Sequence, residues 1–224
     1  GSLVAGADTV IAGLGGAAGL VDATGPVEQD SFTAFRDDVA EVSKLETLAY
    51  VPIVPGDERA DFEALTGHGI TLQEPNSLMP SPERDVYWPV QWILPSDPLT
   101  DTLLGLDAKA SDISKDEAAL ARDTGDTIVT EPLVFDQGDS LFFIIKPLYR
   151  PGAPSSTVEE RRAGHAGFVA SAYWGSSLIT DAVELEPELR IRLLDGDDVI
   201  AKSDPPPTGE TIERTVNVAG RDWT

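Results

Sequence analysis

Apolar residues over positions 3–21 recur at Leu3, Ala7, Val10, Leu14, Ala17 and Val21, a 4-3-4-3-4 spacing. That is a heptad seam, and it predicts a helix with one apolar edge. Small residues fill the positions between, which would let a second helix approach closely. Gly25-Pro26 interrupts the pattern. It resumes at helical spacing with Phe32, Phe35, Val39, Val42, Leu45 and Leu48, behind Asp30 or Ser31 as N-cap, and Val51-Pro52 ends it. A short helix over 57–65 follows, then a loop rich in Pro, Ser, Asn and Gly as far as residue 85.

From there the period changes. Residues 86–94 alternate aromatic and β-branched side chains and predict a strand. Residues 102–106 predict another. Ala118, Ala119 and Ala121 favour a helix over 112–122, closed by Thr124-Gly125. Residues 127–135 and 140–149 form the arms of a hairpin about Asp136-Gln137-Gly138-Asp139. RPGAPSS at 150–156 reads as a linker. Beyond it come a helix-prone VEERRAG, a strand over 167–174, a helix over 176–183, strands over 189–194 and 199–202, and a last strand over 212–218. The fold class expected is α+β: a long N-terminal helical stalk and two blocks of mixed helix and antiparallel sheet.

Charge narrows the partners. The chain has 224 residues, 39 acidic and 16 basic side chains and a net charge of −23. That field repels phosphate backbones and anionic headgroups, so nucleic acid and direct membrane-surface binding are discounted. The acidity suits a small neutral or cationic ligand, and equally serves solubility alone. There is no cysteine, which excludes disulfides, thiolate metal sites and cysteine nucleophiles. No run of 18 apolar residues exists to span a membrane.

Catalytic chemistry finds no constellation. Gly13-Leu14-Gly15-Gly16-Ala17-Ala18 has the spacing of a dinucleotide fingerprint, but no strand precedes it. His68 and His165 have no second ligand at metal spacing. Trp174-Gly175-Ser176-Ser177 lacks the glycine pattern of a nucleophile elbow. The carboxylate pairs Glu159-Glu160 and Asp197-Asp198 read as solvated faces. No metal and no cofactor is expected. The chain reads as a binder rather than an enzyme.

The order of the motifs resembles the CHASE domain. Phe32 and Phe35, Val51-Pro52 with Val54, Glu58-Arg59 and Phe62-Glu63 match its opening. Tyr87, Pro89-Val90, Trp92, Pro95, Leu104-Gly105 and Asp107 match its central segment, ALARDTGDTIVTEPL the next, and KPLYRPGAPSSTVEERRAGHAGFVASAYWGSSLI and VNVAGRDW the last two. CHASE domains are extracytoplasmic sensors of histidine kinases, diguanylate cyclases and adenylyl cyclases. The resemblance therefore implies part of an integral membrane protein, with the membrane helices outside this sequence.

It also implies two tandem PAS-like domains behind the stalk: stalk helices over 1–50, a membrane-distal ligand-binding domain over 51–150 and a membrane-proximal domain over 151–224. A homodimer through the stalk helix is implied, in keeping with the heptad. Asp107 stands where the family's plant cytokinin receptors hydrogen-bond the adenine of the hormone, so an adenine-type ligand is one candidate. Ile128, Val129 and Thr130 correspond to a strand lining that pocket. Tyr87, Trp92, Val129 and Phe142 or Phe143 are the candidate walls, with Asp107 the acceptor that orients the ligand. Asp107 as a helix cap or turn anchor remains an equal alternative. A double-Cache-like sensor of amino acids or carboxylates would want cations, and Arg84, Arg122 and Lys146 are the nearest. A secreted structural or adhesion module is a further alternative.

Overall fold

The computed structural model describes residues 2–24, 29–43, 45–74, 77–95, 100–110, 115–134, 139–185 and 188–224. Helix α1 (Ser2–Thr24) and helix α2 (Gln29–Ser43) lead in. Strands β1 (Leu48–Pro52) and β2 (Val54–Pro55) follow, then helix α3 (Arg59–Thr66), the hairpin β3 (Thr71–Glu74) and β4 (Ser77–Pro80), and strands β5 (Val86–Tyr87) and β6 (Trp92–Leu94). After helix α4 (Lys115–Thr124) come β7 (Ile128–Val129), β8 (Leu133–Val134) and the long β9 (Ser140–Tyr149). Helix α5 (Val158–Gly164) leads into β10 (His165–Trp174), which runs directly into helix α6 (Gly175–Leu185). The chain closes with two hairpins, β11 (Arg192–Asp195) with β12 (Asp198–Lys202), and β13 (Val216–Val218) with β14 (Arg221–Trp223).

The main sheet runs β6-β1-β10-β9-β7, with β8 also on β9, and its pairings are antiparallel. Side chains alternate across such a sheet, so each strand lines two faces. Leu48 and Tyr50 of β1, Trp92 and Leu94 of β6, Phe142, Ile144 and Leu148 of β9, and Val169 and Tyr173 of β10 point to one face. There they meet Val10, Leu14, Ala17 and Val21 of α1 and Phe32 of α2. Phe32 lies edge-on to Trp92, centroids 4.6 Å apart. The same core continues to Ile179 of α6, Leu193, Ile200, Val218 and Trp223, so α1 underlies the main sheet and the C-terminal hairpins together. The opposite, outer face carries Val51, Ile145 and Phe168, roofed by Trp88 and by Ala118 and Ala121 of α4.

Several expectations change. The helix read through Leu45 and Leu48 ends at Ser43, and both leucines enter the core beside β1. Leu48–Pro52 is held between β6 and β10, and that distant pairing overrides the local helical spacing. The strand over 86–94 splits into β5 and β6 about Pro89, and residues 102–106 form a 3-10 turn at Thr100–Leu103 and a tight bend. Strands β9 and β10, on either side of residue 150, pair along their length. The loop expected over 66–85 contains the β3–β4 hairpin. The hairpin turn read at 136–139 lies largely outside the described residues, as does Gly25-Pro26.

The helix ends follow the local chemistry. Thr157 caps α5 by accepting from Glu160 N–H at 3.1 Å, while the Glu160 carboxylate accepts from Thr157 N–H at 3.0 Å. Gly125, at φ 83°, ends α4 in the left-handed region and donates to Ala121 O at 2.8 Å. Asp123 at the end of α4 takes the Arg122 and Arg162 guanidinium groups, which hold its carboxyl well below the usual range and tie α4 to α5.

Candidate ligand-binding face

Three backbone segments mesh at the outer face. Val90 N–H donates to Leu106 O, Ala108 N–H to Trp88 O, and Asp107 N–H to Thr71 O, at 2.8–2.9 Å. Gly105 makes the mesh feasible, since its φ is 81° and a Cβ there would lie 2.2 Å from Gly69 O. Asp107 sits at the centre and is fully buried. Its Oδ1 accepts from Trp88 N–H at 2.8 Å and from Lys109 N–H at 3.2 Å. Its Oδ2 has no hydrogen-bond partner among the described residues.

Three neighbours share that condition. Trp88 Nε1, Thr71 Oγ1 and His165 Nε2 are buried and unpartnered. Trp88 lies edge-on to His165 at 5.7 Å and to Phe168 at 5.1 Å. The Lys109 ammonium and the Arg122 guanidinium stand 5.8 and 5.9 Å from the Trp88 ring centre. Each unmet buried polar atom costs about 1–3 kcal/mol.

The sequence-predicted residues separate across the sheet. Phe143 packs against the outer-face cluster, and Asp107 is tied to it through the Trp88 main chain. Ile128 joins them there. Thr130 lies at the sheet edge, where its N–H donates to Phe143 O and its Oγ1 accepts from Phe143 N–H, both at 2.9 Å. Trp92, Val129 and Phe142 point the other way, into the core beneath α1. Phe142 packs against Trp223 at 5.0 Å. Alternation explains this: Phe142 and Phe143 are neighbours in one strand and cannot line one wall. Tyr87 leaves both faces. It packs with Val54, Phe62 and Ile70, accepts from Arg84 N–H and donates to Pro82 O, under the Arg59 guanidinium. It also lines an open pocket with Arg59, Glu63 and Arg84.

Sequence reasoning missed Trp88, Thr71, Phe168 and His165. The Tyr87-Trp88 pair carried the signal for the first, since one of two adjacent aromatics must face away from the other. Of the three cations considered, Arg122 borders this face. Lys146 reaches Gly125 O at 3.2 Å, and Arg84 lies beside Tyr87.

The family model described as "CHASE domain" matches residues 25–206, and the chain belongs to the CHASE family. It is 28 % identical over 155 residues to "Probable histidine kinase 4" of Oryza sativa subsp. japonica, a match covering 68 % of this chain and 15 % of that protein. The chain thus spans about 15 % of the length of the curated relative it matches. The ligand-binding domain of the Pseudomonas aeruginosa amino-acid chemoreceptor PctC, solved with GABA, is 14 % identical, with 98 % of this chain and 86 % of that one covered and a TM-score of 0.45. Among the described residues, no helix is long and apolar enough to cross a membrane.

Proposed function

We propose that this is the ligand-sensing part of a transmembrane signalling receptor, a histidine kinase or nucleotide cyclase, and that it binds a small molecule on the outer face of the main sheet at Asp107. The carrying observation is the divided carboxylate: one oxygen is held by two backbone N–H groups, and the other is buried without a partner. The fixed oxygen orients the free one, and a ligand N–H completes it. An adenine-type ring, flat and rich in N–H donors, meets that requirement.

The arrangement supports two tandem units, the main sheet from β1 to β10 and a smaller C-terminal unit from α6 to β14, on a shared stalk helix α1. It also changes how a stalk dimer would form. The heptad edge at Val10, Leu14, Ala17 and Val21 is spent on the chain's own sheet. A second copy would instead meet Asp8, Ala12, Gly15 and Gly19, which are exposed. A Cβ on Gly15 or Gly19 would touch nothing within 4 Å.

A second reading has its own observation. Lys109 and Arg122 both stand over Trp88 and would hold the carboxylate of an amino acid. One thermal-shift screen decides between them, with adenine derivatives, cytokinins, amino acids, polyamines and carboxylates, and Asp107→Asn alongside. A ligand at 100 times its Kd stabilises by about 2.7 kcal/mol, a shift of several degrees. A shift lost in Asp107→Asn supports the site. A shift that Asp107→Asn leaves unchanged, or none with any compound, overturns it.

A further inference from the structure

An open cleft of about 660 Å³ lies where α3 meets the segment that leads into β5. One wall comes from α3 and the 3-10 turn before it, with Gly56, Asp57 and Glu63. The other comes from Glu83, Arg84 and Asp85. Backbone joins the two walls. Gly56 N–H donates to Asp85 O at 2.8 Å, and Pro55 of β2 pairs with Val86 of β5. A Cβ at Gly56 would lie 2.2 Å from Arg84 O, so glycine is what permits the approach.

The lining side chains fall into two groups. Arg59 has spent its donors. Its Nε donates to Glu63 Oε1 at 2.8 Å, Nη1 to Ser81 O at 2.7 Å and to the Tyr87 hydroxyl at 3.3 Å, and Nη2 to Ile70 O at 3.2 Å. Glu63 Oε1 also accepts from Ile70 N–H at 2.9 Å. These bonds pin α3 to the chain at residues 70, 81 and 87, so the cleft stands ready before anything enters it. The second group is uncommitted. Asp57, Glu83, Arg84 and Asp85 are exposed, and among the described residues their side chains make no hydrogen bond or ion pair. Three free carboxylates therefore border the cleft against one free guanidinium.

We infer that this cleft is a binding site separate from Asp107, and that it takes a linear aliphatic di- or polyamine. The cleft marks the place and the free groups choose the class. An anion would meet three carboxylates in a chain of net charge −23 and is repelled. A metal ion needs several oxygens on one point. Among the described residues, no three Asp, Glu or His side chains come close enough to share an ion. Carboxylates divided between two walls suit ammonium groups divided along a chain instead. Asp57 takes one end, and Glu83 or Asp85 takes the other, each by charge-assisted hydrogen bonds. The inference stands whether or not the outer face binds a ligand.

The test is a calorimetric titration of the whole domain with putrescine and spermidine at an ionic strength of about 0.15 M. Saturable binding of one amine per chain is expected. Asp57→Asn with Asp85→Asn is expected to weaken it roughly tenfold or more. Asp197→Asn with Asp198→Asn removes the same charge from the exposed β11–β12 turn and is expected to leave it unchanged. Both pairs alter exposed side chains that hold nothing, so folding does not confuse the comparison. Equal weakening by the two pairs would reduce the effect to attraction by the net charge and overturn the site. So would the absence of saturable binding by either amine, whatever Asp107 binds. Magnesium displacing the amine completely at the same ionic strength would overturn the requirement for a chain. Lysine binding more tightly than putrescine would overturn the class, because it would make Arg84 the partner of a carboxylate.

Discussion

Trp88 and Asp107 hold each other by main chain and side chain at once: Trp88 N–H donates to Asp107 Oδ1 at 2.8 Å, and Trp88 O accepts from Ala108 N–H, the residue after Asp107, at the same distance. The carboxylate thus has an architectural oxygen and an unoccupied one. That division lets the two roles be separated by substitution.

Asp107→Asn retains the oxygen that serves Trp88 and Lys109 and replaces the free oxygen with a donor. Its urea midpoint is expected to stay close to that of the parent while ligand response disappears. Asp107→Ala strands two backbone donors and is expected to cost about 1–3 kcal/mol. Equal losses of stability in the two variants, read by chemical denaturation, would make the whole side chain structural.

Gly167→Ala meets backbone on one side and an unfavourable φ on the other. The expected outcome is a loss of about 2 kcal/mol or more, or failure to accumulate as soluble protein. Gly152→Ala is the control, because its φ of 73° carries strain but no atom within 4 Å opposes a Cβ. A Gly167 variant no less stable than the Gly152 variant would remove the requirement for glycine at 167.

Acidification has a definite sign. The folded pKa of His165, about 4, lies below the ordinary 6.5, so the unfolded chain binds a proton first as pH falls. The contribution is full above pH 6.5, shrinks as pH drops towards 4 and is gone below it, a loss of about 3 kcal/mol at most. Asp123, depressed by Arg162 and Arg122, adds a further loss only once pH falls below the ordinary carboxylate range. Urea midpoints between pH 7 and pH 4.5 are expected to decline less in His165→Phe than in the parent. Parallel declines would place the sensitivity elsewhere.

Helix α1 offers two kinds of position. Leu14 is fully buried against the sheet, so Leu14→Ala is expected to cost about 2–5 kcal/mol. Gly15→Leu and Gly19→Leu project into open space and are expected to leave the melting temperature of the monomer unchanged or slightly raised by helix propensity. Light scattering across protein concentration then reads the assembly. An association unaffected by both glycine variants would put the dimer contact somewhere other than this strip.

The sequence was most legible where a local rule decides. The α5 capping box, the Gly125 stop and the Asp195–Asp198 turn each follow from a few adjacent residues. The 4-3-4 spacing of α1 located its buried edge correctly but could not say which surface covers it, because a sheet and a second helix demand the same pattern. The central position of β1 depends on β6 and β10, which lie about 40 and 120 residues away and leave no local mark. The site was half legible for the same reason. Asp107 stood out as a carboxylate inside an apolar run, whereas Trp92 and Phe142 were read onto its wall. Sidedness needs the parity of each strand, and Pro89 resets it between Tyr87 and Trp92.

Strand β9 carries a consequence for how such a domain can change over evolutionary time. Phe142, Ile144 and Leu148 serve the helix side while Phe143 and Ile145 serve the outer face, so a single inserted or deleted residue would exchange the two linings along the rest of the strand. Substitution can retune the outer face one position at a time, because alternate residues answer to different neighbours. Length cannot drift in the same way. Relatives that recognise different molecules are therefore expected to align without gaps through this strand and to differ at its odd-numbered positions first.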